Sequence, residues 1–156
     1  MAVEVISSSN FIFEFGGTVY PIKSFSGIDV EAKIAAADLP IASGAKAQVT
    51  YQTTSSGYTD NKNFTIEAAL EDGNKKLFDV WAKALPATYT GGGGKWNDGY
   101  TDGKITILDA SGGEVVSYDL KQCQIVSYSV SDFDVASKDI LMESFEFNAQ
   151  MIQRSK

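Results

Sequence analysis

Residues 10–34 read NFIFEFGGTVYPIKSFSGIDVEAKI, and this stretch decides the fold. Successive side chains of a strand point to opposite faces, so Phe11, Phe13 and Phe15 share one face and Ile12 and Glu14 the other. Gly16-Gly17 is a strong turn signal. A second strand runs through Thr18 to Phe25, and Pro21, which has no N–H to donate, marks an interruption or an edge. After Ser26-Gly27, Ile28, Val30, Ala32 and Ile34 alternate with Asp29, Glu31 and Lys33, the pattern of a half-buried strand with one solvated side. Strand and turn repeated over so short a stretch describe an antiparallel sheet.

The same alternation recurs downstream. Phe64, Ile66, Ala68 and Leu70 alternate between Asn63 and Leu70. Strands are expected over Lys104–Asp109, Glu114–Leu120, Gln122–Val130 and Ile140–Ile152. The last of these puts Phe145, Phe147, Ala149 and Met151 on one face and Ser144, Glu146, Asn148 and Gln150 on the other. The only good helix candidate is Asn74 to Leu85, where Leu77, Trp81 and Leu85 recur at four-residue spacing beside Phe78 and Ala84. Asp72 or Asn74 suits its start and Pro86 its stop. The sum is a mainly β domain: a small β-barrel of two packed antiparallel sheets with one flanking α-helix. A single domain spans 1–156, with residues 1–9 as a flexible N-terminal arm and 87–103 as a Gly-rich loop. Residues 35–62 are poor in large apolar side chains. A connection of that length inside a compact domain is usually functional or disordered, and it reads as a long extended arm loop. Within it, Gln48 to Gln52 suits a short strand of a hairpin arm.

Composition narrows the function. Thirteen basic residues against twenty acidic ones leave a net charge of −7, which repels phosphate backbones and argues against nucleic-acid wrapping. The chain has no histidine and one cysteine, Cys123, so a Ser-His-Asp triad, a Cys-His dyad, a His-ligated metal and an internal disulfide are all excluded. Asp29/Glu31 and Glu143/Glu146 are formally carboxylate pairs of the kind glycosidases use, but a solvated sheet face explains them more simply. Asn97-Asp98-Gly99 and Asp102-Gly103 hint at a calcium loop, yet their spacing fits turns. Gly91 to Gly94 lacks the ending of a phosphate cradle. The opening MAVEVISSSNFIFEF has neither a basic start nor a long apolar run, so synthesis in the cytoplasm without a Sec signal is expected, and no run is long enough for a membrane span.

The order of these segments resembles the tail-tube proteins of contractile-tailed phages and contractile injection systems, with their relatives in type VI secretion. The resemblance rests on Phe11-Ile12-Phe13-Glu14-Phe15-Gly16-Gly17, on Phe25-Ser26-Gly27-Ile28-Asp29-Val30-Glu31, and on Phe64 to Leu70 followed by Leu77-Phe78-Asp79-Val80-Trp81. It continues through Ile105 to Asp109, Gly113 to Leu120 and Glu143-Ser144-Phe145-Glu146-Phe147. Gly91–Gly94 and Trp96 fall outside the pattern. The resemblance implies a non-enzymatic structural subunit that needs no cofactor. It would assemble with itself as homo-hexameric rings stacked into a tube, with sheath and baseplate proteins as partners. DNA or protein cargo would pass through the lumen without specific binding. On that reading Glu14, Asp29, Glu31, Glu67 and Glu146 are candidates for the lumen wall, and an acidic wall would keep an acidic payload from sticking. Asp38, Leu39, Ile41, Gln48, Tyr51 and Tyr58 would belong to the arm that packs on neighbouring subunits. Two alternatives stay open: a type VI-like secreted ring that carries effectors, and a monomeric β-sandwich carbohydrate-binding or adhesin module using Tyr89, Trp96 and Tyr100.

Overall fold

The computed structural model describes residues 10–34, 40–43, 49–51, 56–71, 75–136 and 138–156, with backbone only at 33, 34, 40–43, 49–51, 56–60 and 96. The described strands are β1 (Phe11–Phe15), β2 (Thr18–Tyr20), β3 (Ser24–Phe25), β4 (Val30–Ile34), β5 (Pro40–Ser43), β6 (Val49–Tyr51) and β7 (Ser56–Asn61). After these come β8 (Phe64–Ala69), helix α1 (Lys75–Ala84), a 3₁₀ turn (Trp96–Gly99), β9 (Thr101–Leu108), β10 (Glu114–Val130) and β11 (Met142–Arg154). Seven strands form one antiparallel sheet in the order β2-β1-β9-β10-β11-β8-β3.

This sheet curls into a half-barrel. In a flat sheet β1 and β11, separated by β9 and β10, would lie roughly 14 Å apart. Instead the Phe147 ring of β11 meets Phe13 at 5.7 Å and Phe15 at 5.3 Å, both edge-on, and stacks on Phe64 of β8 at 5.3 Å. The concave face therefore does alone what two packed sheets would do together. It buries Phe13, Phe15, Phe64, Ile66, Ile105, Leu120, Cys123, Ile125, Phe145, Phe147 and Ala149. Burial of this kind is worth about 1.5–3 kcal/mol for each large apolar side chain, so the aromatic cluster dominates the fold's stability.

α1 closes one side of the concave face. Leu77 is fully buried, and Val80 and Trp81 pack against the core. Phe78 and Trp81 hold Tyr128 between them, at 5.1 and 5.6 Å. Leu85, the expected third member of the stripe, lies past the helix end and is exposed, because Pro86 stops the chain there. The expected caps Asp72 and Asn74 lie outside the described residues.

Three boundaries differ from the sequence reading. Glu114–Leu120 and Gln122–Val130 are one strand, β10, bent at Gln122. The apolar phase slips by one between Leu120 and Cys123, and a bulge absorbs the slip where a turn was expected. Opposite that bend Met151 is half-exposed and Ile152 packs on the core, so the inward face of β11 also ends at Ala149. Within 87–103, Gly94 runs against the backbone of Leu85 and Pro86, where a Cβ would approach to 2.7 Å, so at least that glycine marks close packing. β9 already begins at Thr101.

Candidate assembly surface

Glu14, Glu67 and Glu146 share the convex face of the seven-stranded sheet, because each neighbours residues whose side chains fill the concave side. Thr65 faces Glu146 across β8 and β11, and Ser144 faces Glu67, which brings these two glutamates together. The Glu67 carboxylate accepts a hydrogen bond from Ser24 Oγ at 2.9 Å. Glu146 accepts from Asn63 Nδ2 and from Ser127 Oγ, both at 3.0 Å, and these bonds hold its carboxyl below the usual carboxylate range. Glu14 stands at the other side of the same face, opposite Lys104 of β9, which in turn faces Asp119 of β10. Thr106, Gln124, Ser127 and Asn148 fill the face between them, according to the strand register, with Ile12 opposite Thr106, while Ser117 on the same parity is buried against Ser155. It is a mostly polar wall of hydroxyls and amides with scattered charges of both signs, and Ile12 and Val19 are exposed on it beside Glu14.

Asp29 and Glu31 do not join this wall. Asp29 lies in the link before β4, where its Oδ2 accepts from Lys62 Nζ at 2.7 Å, and Glu31 sits on β4, outside the seven-stranded sheet. Glu143 and Glu146 do not converge as a pair. Glu143 points into the concave side, 3% exposed, whereas Glu146 points out. Burial pushes the Glu143 carboxyl up, and the Tyr128 hydroxyl bound to it opposes that shift. The suspected calcium loop is used otherwise: Asp102 accepts from the Gln122 N–H at 2.9 Å and from Lys121 Nζ at 3.0 Å, which lowers its pKa and pins the bend in β10. Among the described residues no cluster of three His, Cys, Asp or Glu is placed to hold a metal ion. Burial raises the Cys123 thiol to about 12, so it is unreactive at neutral pH.

The stretch expected as an extended arm is built from ribbons. β4 pairs with β7 and β5 with β6, each as a separate two-stranded antiparallel unit. Ile41 lies on β5, Tyr51 on β6 and Tyr58 on β7, while Asp38, Leu39 and Gln48 lie outside the described residues. Asn61 ties the ribbon's base to β11, donating from Nδ2 to the carbonyls of Ala149 and Gln150 at 3.1 and 2.8 Å. The alternation over β4 predicts a half-buried strand, yet Val30 is 44% exposed and Ala32 is also exposed. Of Ile28, Val30 and Ala32, it is Ile28, before the strand, that packs on the core.

The β10–β11 connection, which carries Asp132, Asp134, Lys138 and Asp139, also exposes large apolar side chains. Phe133 and Ile140 are each 75% exposed and Val135 is fully exposed. The signal was there: in SDFDVASKDIL each of these three residues directly follows an aspartate.

The family model for the T4-like virus tail tube protein gp19 matches residues 7–153. No curated protein sequence matches the chain. Among solved structures, the anti-feeding prophage cap (AFP tube terminating cap) superposes with a TM-score of 0.73 at 17% identity, covering 100% of this chain and 95% of that one. The PVC sheath-tube complex of an extracellular contractile injection system, in its extended state, gives 0.68 at 18% identity, covering 97% and 91%. Hcp1 from Flavobacterium johnsoniae gives 0.57 at 16% identity, covering 94% of both chains.

Proposed function

The chain belongs to the T4-like virus tail tube protein family, and from that premise we propose that it assembles into hexameric rings stacked as the inner tube of a phage tail or contractile injection particle. The convex face with Glu14, Glu67 and Glu146 lines the lumen, and DNA or protein cargo passes it without specific binding. Sheath and baseplate proteins surround and nucleate the tube. The observation that carries this reading is the β4–β7 ribbon, which stands off the sheet with Val30 and Ala32 exposed. An alternating strand left uncovered in one copy is covered when it lies on a neighbour. Supporting it, the convex face is mostly polar, which suits a wall that cargo must slide along. Asp29 and Glu31 then act at the ribbon's base, away from the wall.

Replacing residues 36–54 by a short glycine-serine link tests this. The tip of the arm goes, but β4, β7, Asn61 and the half-barrel stay. The expected product is a folded monomer with the parent's circular dichroism and no rings by light scattering. Rings of normal size from that variant would overturn the role given to the arm.

A further inference from the structure

The β10–β11 ladder has two unlike ends. At one, Val130 faces Glu143 and the chain leaves into the loop that exposes Phe133, Val135 and Ile140. At the other, Tyr118 faces Arg154. The two ends are roughly 35–40 Å apart along the strands at 3.3 Å per residue. Beside Tyr118 lies an open apolar cavity of about 290 Å³, walled by Phe11, Phe25, Ile28, Ile105 and Ile107. β3 leads toward this same end, since Phe25 passes over Phe64 at 5.2 Å before Ile28.

We infer that the two ends fit each other: the β10–β11 loop of one copy inserts Phe133, Val135 or Ile140 into the apolar cavity at the far end of the next copy, and this head-to-tail contact stacks one ring on another. The occupant is a second copy because the chain itself carries both halves. Apolar side chains protrude from one end and an apolar hollow opens at the other. Charge does not decide the fit, which is between apolar surfaces: the loop holds Asp132, Asp134 and Asp139 against Lys138, and at the cavity's end Arg154 and Lys156 stand beside Asp109, Glu114 and Asp119, with Lys156 Nζ donating to the Glu114 carbonyl. A contact between two different patches of the same chain closes into a ring where its rotation closes and propagates as a filament where it does not, and a contact between opposite ends of the molecule is of the second kind, as a stack requires. The inference rests on the tube reading for its setting, while the contact itself is testable without rings.

Two single variants, Val135→Cys and Ile28→Cys, are purified separately, mixed at high concentration and oxidised mildly. The buried Cys123 gives little background. A covalent dimer is expected in the mixture, strongly reduced when Phe133→Ser and Ile140→Ser are added to the loop partner or when Lys76→Cys replaces Ile28→Cys. No dimer above the Lys76→Cys control, or a dimer insensitive to the serine changes, overturns the proposal. Electron microscopy of the Phe133→Ser/Ile140→Ser chain separates the two readings. Single rings without stacks are expected. Stacks as long as the parent's overturn the loop's role while leaving the tube reading intact, and absence of rings in the parent defeats the tube reading, with the cross-link still deciding the contact.

Discussion

Gln122 has a φ of 48°, the one positive value among the described non-glycine residues. Its N–H is held by Asp102, so the bend in β10 is maintained by a hydrogen bond against a backbone conformation that costs an ordinary residue about 1 kcal/mol. Gln122→Gly keeps that N–H and removes the strain, and urea unfolding should show a gain of up to about 1 kcal/mol. Glu143 supplies a pH test. Its folded-state pKa is raised by burial, so its contribution to stability is fully present below the unfolded value and is lost as pH rises through the folded one. Its surroundings, Tyr128, Glu71 and Lys75, contain one further carboxylate and one cation. Glu143→Gln should therefore raise the thermal midpoint at pH 7–8, and the advantage should vanish below about pH 4. Asp102, Asp109, Glu114 and Glu146 carry the opposite sign. Their lowered pKa values stabilise the fold above the unfolded carboxylate range and withdraw that support as pH falls. At this scale little was legible in advance. Alternation gives the direction of Glu146 and also that of Glu143, which shares the parity of Phe145 and Phe147, but the burial of Glu143 depends on Tyr128 and on α1 lying beside it.

Among elements, β1, the Gly16-Gly17 turn, β8 and α1 were legible because each satisfies a local rule in phase with its burial: alternation in strands, four-residue spacing in the helix. β10 was misread where a phase slip can be either turn or bulge, since only the partner strand decides between them. β6 was legible, since Val49–Tyr51 falls within the short strand expected over Gln48 to Gln52, but the rest of the ribbons was hidden for a different reason. β5 and β7 lie outside the half-barrel, and their sequence lacks the large apolar content that marks a core strand. α1 yields a prediction of its own. Leu77 is its fully buried anchor, so Leu77→Ala should cost about 2–5 kcal/mol in chemical unfolding. Lys76→Ala, on the exposed side, should leave stability within about 0.5 kcal/mol.

For the whole molecule, the half-barrel sorts its chemistry by face. Aromatic rings fill the concave side, mostly polar groups with Ile12 and Val19 line the convex side, and the β10–β11 loop leaves Phe133, Val135 and Ile140 uncovered. The wall's identity as a lumen is a property of the assembly, which one chain's sequence encodes only as alternation. A cysteine at Ser144, on the convex face between Glu67 and Glu146, should resist a bulky maleimide in assembled tubes and react freely in monomers. One at Lys76 should react in both. The most direct test is cryo-electron microscopy of the purified full chain across a concentration series. The account predicts six-fold rings that stack at high concentration, with Glu14, Glu67 and Glu146 on the pore wall and α1 away from it. Persistent monomers at the highest concentration, or rings whose pore is walled by α1, would contradict it.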